Sequence, residues 1–305
     1  MDDELERWKA DGAHFDYLGF TVFYRKAGTG PNLLLVHGYP FSSWDWAAIW
    51  PGLTERFTVI APDMLGMGFS DKPVDYEYSV HDHADMHEAL LEHLGIRSCH
   101  LIAHDIGVSV AQELLARHDG NEQSTAPFRI DSITWLNGGL FNEVYRPRLV
   151  QTLLSKTPLG DVVARYWRVL MPGVLMNAAV RELFGPDTKP SNESLEKFRQ
   201  VLEYNNGKRV THKVGRFVRD RYHHRNRWVR AMRRTRVPMR LIDGPYDPNS
   251  GQHMADRYID IIPDPDVVLL APTIGHWPQI EDPNGVLTHF LRHIDNIGKP
   301  EPMNQ

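Results

Sequence analysis

Four short segments place a reactive side chain among small or turn-forming neighbours. His37-Gly38-Tyr39-Pro40 closes one apolar run, and Ala103-His104-Asp105-Ile106-Gly107 joins a second to a helical pattern. Asp247 follows a third run, and His276 lies in Gly275-His276-Trp277-Pro278 after a fourth. The chain order is therefore nucleophile candidate, acid, histidine. A nucleophile on a tight strand-to-helix turn needs little bulk two positions before and after it, where the two backbones approach closely. Ala103 and Gly107 meet that need around Asp105. The same turn leaves the Ile106 amide at a helix N-terminus, where it can face negative charge, and the Tyr39 amide is its candidate partner in an oxyanion hole.

An aspartate at such a turn implies a definite chemistry. A carboxylate is already ionised at neutral pH, so it can attack carbon without a base and form an alkyl-enzyme ester. His276, oriented by Asp247, would then activate water to hydrolyse that ester. Amide donors at Tyr39 and Ile106 would stabilise the oxyanion, at about 3 kcal/mol per donor. Neither a metal nor an organic cofactor is required. Each residue also has a plainer use. Asp105 could cap a helix, Asp247 could be a turn residue before Pro248 with Asp243 as its rival, and His276 could be a loop histidine. His37 and His104 flank the candidate site and read as structural hydrogen-bonders rather than proton carriers. His83 and His87 stand four apart on a helix, but the intervening residues lack the zinc-protease pattern, so no metal site is expected.

The elements that must hold these residues can be read from the periodicity. Leu33–Val36, Phe57–Ala61, Cys99–Ala103 and Ile130–Leu136 are short apolar runs bounded by breakers, as buried strands are. Val80–Leu94 and Val108–Arg117 carry apolar residues at helical spacing between them. From Phe141 to Arg236 the pattern is helical with Pro/Gly breaks, and strands resume at Met239–Ile242 and Val267–Leu270. Alternating β and α implies an open, mostly parallel sheet flanked by helices, with chemistry beyond the carboxyl ends of the strands. The expected division is a core of residues 1–139 and 236–305 with a helical insert over 140–235.

Charge follows the same division. Residues 141–236 hold 21 basic and 8 acidic side chains, against 13 and 31 elsewhere. Lys208–Arg236 alone carries twelve Lys/Arg and one acid, Asp220, which reads as a basic helix contacting solvent or the acidic remainder rather than nucleic acid. The single cysteine, Cys99, excludes an intramolecular disulfide, and no apolar run approaches the roughly 18 residues of a membrane span. The acidic start, MDDELERWKADG, is unlike a secretory signal, so a cytoplasmic protein is expected, monomeric or homodimeric.

With these residues in place the sequence resembles the α/β-hydrolases, and among them the branch with an aspartate nucleophile, the epoxide hydrolases and haloalkane dehalogenases. AHDIG is similar to that branch's G-H-D-x-G elbow, HGYP to the oxyanion loop of epoxide hydrolases, and PDMLGMGFS to the loop after the next strand. SSWDW, FSDKP, VAQELL, FGPDTKPS, RNRW and GPYDP are similar to segments of the mesoderm-specific transcript-like hydrolases. The resemblance spans about residues 30 to 290 and implies an α/β-hydrolase fold with the insert as a cap. Its G-x-x-D pattern selects Asp247 as the acid. Dehalogenases resemble one another in having Trp after the nucleophile and Asn in the oxyanion loop, and this chain has Ile106 and Tyr39. The resemblance therefore implies an epoxide hydrolase acting on a small hydrophobic substrate and water. Dehalogenation, ester or lactone hydrolysis and binding without turnover are the alternatives. Epoxide hydrolases protonate the departing oxygen with cap tyrosines, and the candidates for ring opening or substrate binding are Tyr166, Tyr222, His224 and Trp167, together with His37 and His104 beside the site.

Overall fold

The computed structural model describes residues 1–118, 128–147 and 173–297. An N-terminal helix α1 (Asp3–Ala10) leads into β1 (Gly12–Tyr17), β2 (Phe20–Ala27) and β3 (Asn32–Val36). A 3-10 turn at Ser43–Trp46, a short α2 (Trp50–Thr54), β4 (Thr58–Pro62), α3 (Val80–His93), β5 (Ser98–Ala103), α4 (Ile106–His118) and β6 (Arg129–Trp135) follow. Between β6 and β7 the described elements are all helical: α5 (Gly173–Leu183), α6 (Asn192–Glu203), α7 (Thr211–Val214) and α8 (Phe217–Arg234), with a 3-10 segment at Tyr204–Arg209. The chain then forms β7 (Met239–Asp243), α9 (Gln252–Ile261), β8 (Val267–Leu269), α10 (Pro278–Glu281) and α11 (Pro283–Ile297).

One eight-stranded sheet has the order β1-β2-β4-β3-β5-β6-β7-β8. The β1–β2 and β2–β4 pairs are antiparallel, and every pairing from β4 through β8 is parallel. Successive side chains of a strand face opposite sides, and the core divides accordingly. Leu34, Val36, Leu101, Ala103 and Ile133 join one buried cluster, whereas Leu33, Leu35, Val59, Ala61 and Ile102 join another. Both faces are covered by helices, which is why these strands read as continuous apolar runs rather than alternating ones.

All six strands expected from the sequence are present. The β1–β2 hairpin was not anticipated. Its strands alternate, with Phe15 and Tyr17 buried and His14 and Asp16 exposed, and its two-residue turn holds Leu18 at φ 55° and Gly19 at φ 83°. That turn suits a twisted hairpin, but Leu rarely occupies its first position, so the usual Asn-Gly signal is missing.

Helix α8 lies on α4. Glu113 of α4 is almost fully buried and accepts from Trp228 Nε1 at 2.7 Å and Arg117 Nε at 2.8 Å, and it pairs with Arg227. Burial opposes its charge, yet these donors hold its carboxyl below the ordinary range. Farther along, Arg225 Nε donates to Glu143 at 2.8 Å, and Arg257 pairs with the same carboxylate at 3.0 Å. Part of the basic segment is thus neutralised by acids outside its own helix.

Candidate active site

The reactive loops all emerge from the carboxyl ends of parallel strands: residues 37–40 after β3, Asp105 after β5, Asn137 after β6, Asp247 after β7 and His276 after β8. Asp105 sits at the bend between β5 and α4 with φ 49°, a left-handed conformation that costs a non-glycine residue roughly 1–2 kcal/mol. The surrounding backbone fixes it there. Its amide donates to Asn137 O at 2.8 Å, and the amide of His104 donates to Val36 O at 3.0 Å. A Cβ on Gly107 would come within 2.2 Å of Val36 O, so the bend requires glycine two residues after Asp105.

The Asp105 side chain is 5% exposed, and its Oδ2 accepts the Tyr39 amide at 2.9 Å. Among the described residues the Ile106 amide makes no bond to that carboxylate; Ile106 begins α4 directly behind it and is fully buried. The Tyr39 ring packs 5.6 Å from Phe217, and its hydroxyl donates to Thr211 O at 3.1 Å, linking the oxyanion loop to the helical segment.

His276 Nδ1 lies 2.8 Å from Asp247 Oδ2, and both residues are buried. Asp247 also accepts from Ser250 Oγ at 2.6 Å and from the Asn249 amide at 2.8 Å. Burial would raise its carboxyl, but His276 and these donors hold it below the ordinary range. For His276 burial disfavours the imidazolium, while Asp247 first and Asp105 further on outweigh it and lift the group to about 9. The rival acid, Asp243, differs in kind. Burial, then the nearby Asp247, push its carboxyl well above the ordinary carboxylate range.

His37 and His104 are fully buried and structural. His37 Nδ1–H donates to Gly38 O at 2.7 Å, and its Nε2 accepts the Met64 amide at 2.9 Å, which consumes both ring nitrogens. Burial lowers it to about 4. His104 Nε2–H donates to His276 O at 2.7 Å and so supports the histidine loop from beneath; burial lowers it to about 3.

Two cap candidates lie on α8. Tyr222 is 57% exposed, and the His224 ring packs at a tilt against His81 at 4.2 Å and Trp228 at 5.7 Å. Their neighbour Arg221 turns inward instead. Tyr166 and Trp167 lie outside the described residues.

Two supporting residues, Asn137 and Glu281, carried no sequence signal of their own. The Asn137 amide bridges strand ends, its Nδ2 donating to Gly244 O at 3.0 Å and to Asp243 Oδ1 at 3.1 Å, while its Oδ1 accepts the Gly244 amide at 2.7 Å. Glu281 accepts the amides of Gly275 at 2.8 Å and Trp277 at 3.0 Å on either side of His276. The same carboxylate accepts the Gly185 amide at 2.8 Å and the Thr188 hydroxyl at 2.5 Å, tying the segment after α5 to the histidine loop. Beside His276, Trp277 stacks on Phe184 at 4.9 Å and packs with Phe41 and Phe198, an apolar cluster shared by strand-end loops and inserted helices.

Parallel strands with these loops at their carboxyl ends, and a buried acid–histidine pair beside a carboxylate on a strained bend, are the architecture of an α/β-hydrolase. Residues 31–283 match the family model described as alpha/beta hydrolase fold, and the chain belongs to that family. It is 38% identical over 301 residues to the mesoderm-specific transcript protein of Mus musculus, spanning 96% of this chain and 88% of the relative. Among solved structures it is similar to haloalkane dehalogenase DbeA from Bradyrhizobium elkani, with TM-score 0.78, 22% identity, and coverage of 94% of this chain and 98% of the other. The unliganded epoxide hydrolase CorEH is similar as well, with TM-score 0.73, 21% identity, and coverage of 94% and 99%. No helix among the described residues is long and apolar enough to cross a membrane.

Proposed function

We propose that the chain hydrolyses small hydrophobic epoxides through a covalent ester on Asp105, with the segment 140–235 acting as the cap. The observation that supports this best is the pairing of a carboxylate on the elbow, its Oδ2 held by the Tyr39 amide, with a histidine backed by a buried aspartate. A serine at the elbow would need the histidine to remove its proton. Asp105 needs none, so His276 is available for the water step.

The electrostatics give the two steps an order. Before attack, the Asp105 charge helps hold His276 in its protonated form. Once Asp105 is a neutral ester that support is gone, the imidazole deprotonates more readily, and it becomes the base for water attacking the ester carbonyl. The developing oxyanion falls on the oxygen facing the Tyr39 amide, with the Ile106 amide beside it. Asp247 keeps the imidazole oriented throughout.

The test is a His276→Gln variant incubated with a small epoxide and, separately, with a bromoalkane, followed by intact and peptide mass spectrometry. A stable adduct on Asp105 from the epoxide is the expected result. Labelling by the bromoalkane alone, with bromide release, would move the reaction to dehalogenation. No adduct from either would remove the covalent mechanism.

A further inference from the structure

Tyr39 meets the elbow with its main chain and the inserted helices with its side chain. Its amide donates to Asp105 Oδ2 at 2.9 Å, and its hydroxyl donates to the carbonyl of Thr211, at the start of α7, at 3.1 Å. The ring between them packs 5.6 Å from Phe217 of α8. Two glycines make these contacts possible. A Cβ on Gly38 would fall 2.9 Å from His104 Nδ1 and 3.0 Å from Asp105 Cβ, so the loop lies directly against the elbow. A Cβ on Gly215, in the turn between α7 and α8, would lie 3.1 Å from the Tyr39 hydroxyl oxygen. The anchor of that hydroxyl is itself held. Arg221, farther along the same stretch, is 1% exposed and donates through Nε to Ser109 Oγ at 2.8 Å and through Nη2 to the carbonyl of Asp105 at 3.0 Å. The stretch from Thr211 to Arg221 is thus bonded to the oxyanion loop at one end and to the elbow at the other.

The geometry points to the Tyr39 side chain as a positioning group: its hydroxyl, anchored on residues 211–217, sets where its own amide stands against Asp105 Oδ2, so the inserted helices govern hydrolysis of the ester rather than its formation. This rests on Asp105 being the nucleophile. The two steps use the amide in opposite senses. In ester formation Oδ1 bonds the ring carbon and the ring C–O pair stays with the epoxide oxygen. Oδ2 then passes from sharing a carboxylate charge to being a neutral carbonyl, so a well-aimed donor there does not speed attack. In hydrolysis a water oxygen bonds to Cγ, one water proton goes to the neutral His276 imidazole, and the carbonyl pair moves onto Oδ2 as a full anion. Here the aim of the amide counts most. The pair on Oδ2 then re-forms the carbonyl as Cγ–Oδ1 breaks. Oδ1 leaves with the product and takes the proton back from His276, and the second water proton passes to His276, which restores the resting carboxylate and imidazolium.

Rapid-quench mixing of the enzyme with styrene oxide, followed by peptide mass spectrometry, reads formation and decay of the Asp105 ester separately. Tyr39→Phe removes one oxygen and keeps the ring and the amide. It is expected to slow decay about 10-fold and to leave formation within about 3-fold, so that ester accumulates and kcat and KM fall together. Gly215→Ala acts from the inserted helices. Residue 215 has φ −61°, which any residue adopts, so the fold is kept while the methyl crowds the hydroxyl, and decay should slow about 3-fold. With Tyr39→Phe in place the methyl meets no oxygen, so adding Gly215→Ala should change decay by less than about 1.5-fold. Formation and decay slowed alike, neither slowed, or two substitutions whose effects multiply overturn the inference. If Tyr39→Phe does not fold, Gly215→Ala decides alone, unchanged decay counting against the hydroxyl. Should no ester form on Asp105 in the wild type or in His276→Gln, the nucleophile itself is wrong and this inference goes with it. An ester whose decay ignores both substitutions sinks the role of Tyr39 alone.

Discussion

Asp247→Asn keeps the shape of the acid and removes its charge, and the consequence can be worked out from the His276 site. With Asp247 present the imidazolium persists to about pH 9, against an unperturbed value near 6.5. The sign follows from linkage. A folded-state pKa raised above the unfolded one contributes stability that is fully present below about 6.5 and lost as pH rises through about 9. Two-state binding gives about 3 kcal/mol at the acid plateau, falling by about 2 kcal/mol between pH 7 and pH 9. In Asp247→Asn the burial penalty is left without its main opponent, and His276 should titrate below its ordinary value. Urea unfolding of both proteins at intervals from pH 6 to pH 10 should therefore give a stability difference that shrinks as pH rises. The asparagine would also present an N–H or a weaker acceptor to Nδ1, so turnover should fall by about 10³ to 10⁴, as when the orienting acid of a triad is neutralised. A stability difference that stays flat across that range would refute the claim that Asp247 holds His276 charged.

Asp243→Asn is the contrasting change. Asp243 makes no bond to His276, and burial and the proximity of Asp247 raise its carboxyl, so the amide should leave turnover within a few-fold of wild type, and a loss comparable to Asp247→Asn in a steady-state assay would mean the acid has been misassigned. Gly107→Ala would drive a Cβ to within 2.2 Å of Val36 O, and unfolding curves should show a loss of about 1–3 kcal/mol together with a marked fall in Asp105 labelling. Leu18 is 70% exposed at φ 55°, so Leu18→Asn should raise stability by about 0.5–1 kcal/mol in a denaturant titration without changing turnover.

The parts legible in the sequence are those with a short-range signature. Buried parallel strands read as unbroken apolar runs, and the elbow reads from its small residues at positions 103 and 107, because close backbone approach leaves only a few residue types possible. Asn137 and Glu281 have no such signature. Each acts by bridging backbones that lie far apart in the chain, 107 residues between Asn137 and Gly244 and 96 between Gly185 and Glu281, and nothing local distinguishes a bridging amide or carboxylate from a solvated one.

Arg221 is a residue that the charge pattern alone does not single out. The basic residues of α8 occur at three- and four-residue spacing and cover more than one side of the helix, so their periodicity does not show which side faces in. The buried residues do. Phe217, Val218, Arg221, Trp228, Val229 and Met232 lie along one helical face, and Arg221 occupies the position one turn after Phe217 and two turns before Trp228. Arg225, four residues on, shares this side by phase but is part-exposed and reaches Glu143, whereas Arg221 is buried, and burying a cation requires an anion or its equivalent at the same depth. On this face the nearest acidic group is Asp105, 3.9 Å away, so the phase of the inserted helix and the charge of the elbow are two sides of one constraint. Tyr222, the next residue, falls at the margin of this face and is 57% exposed.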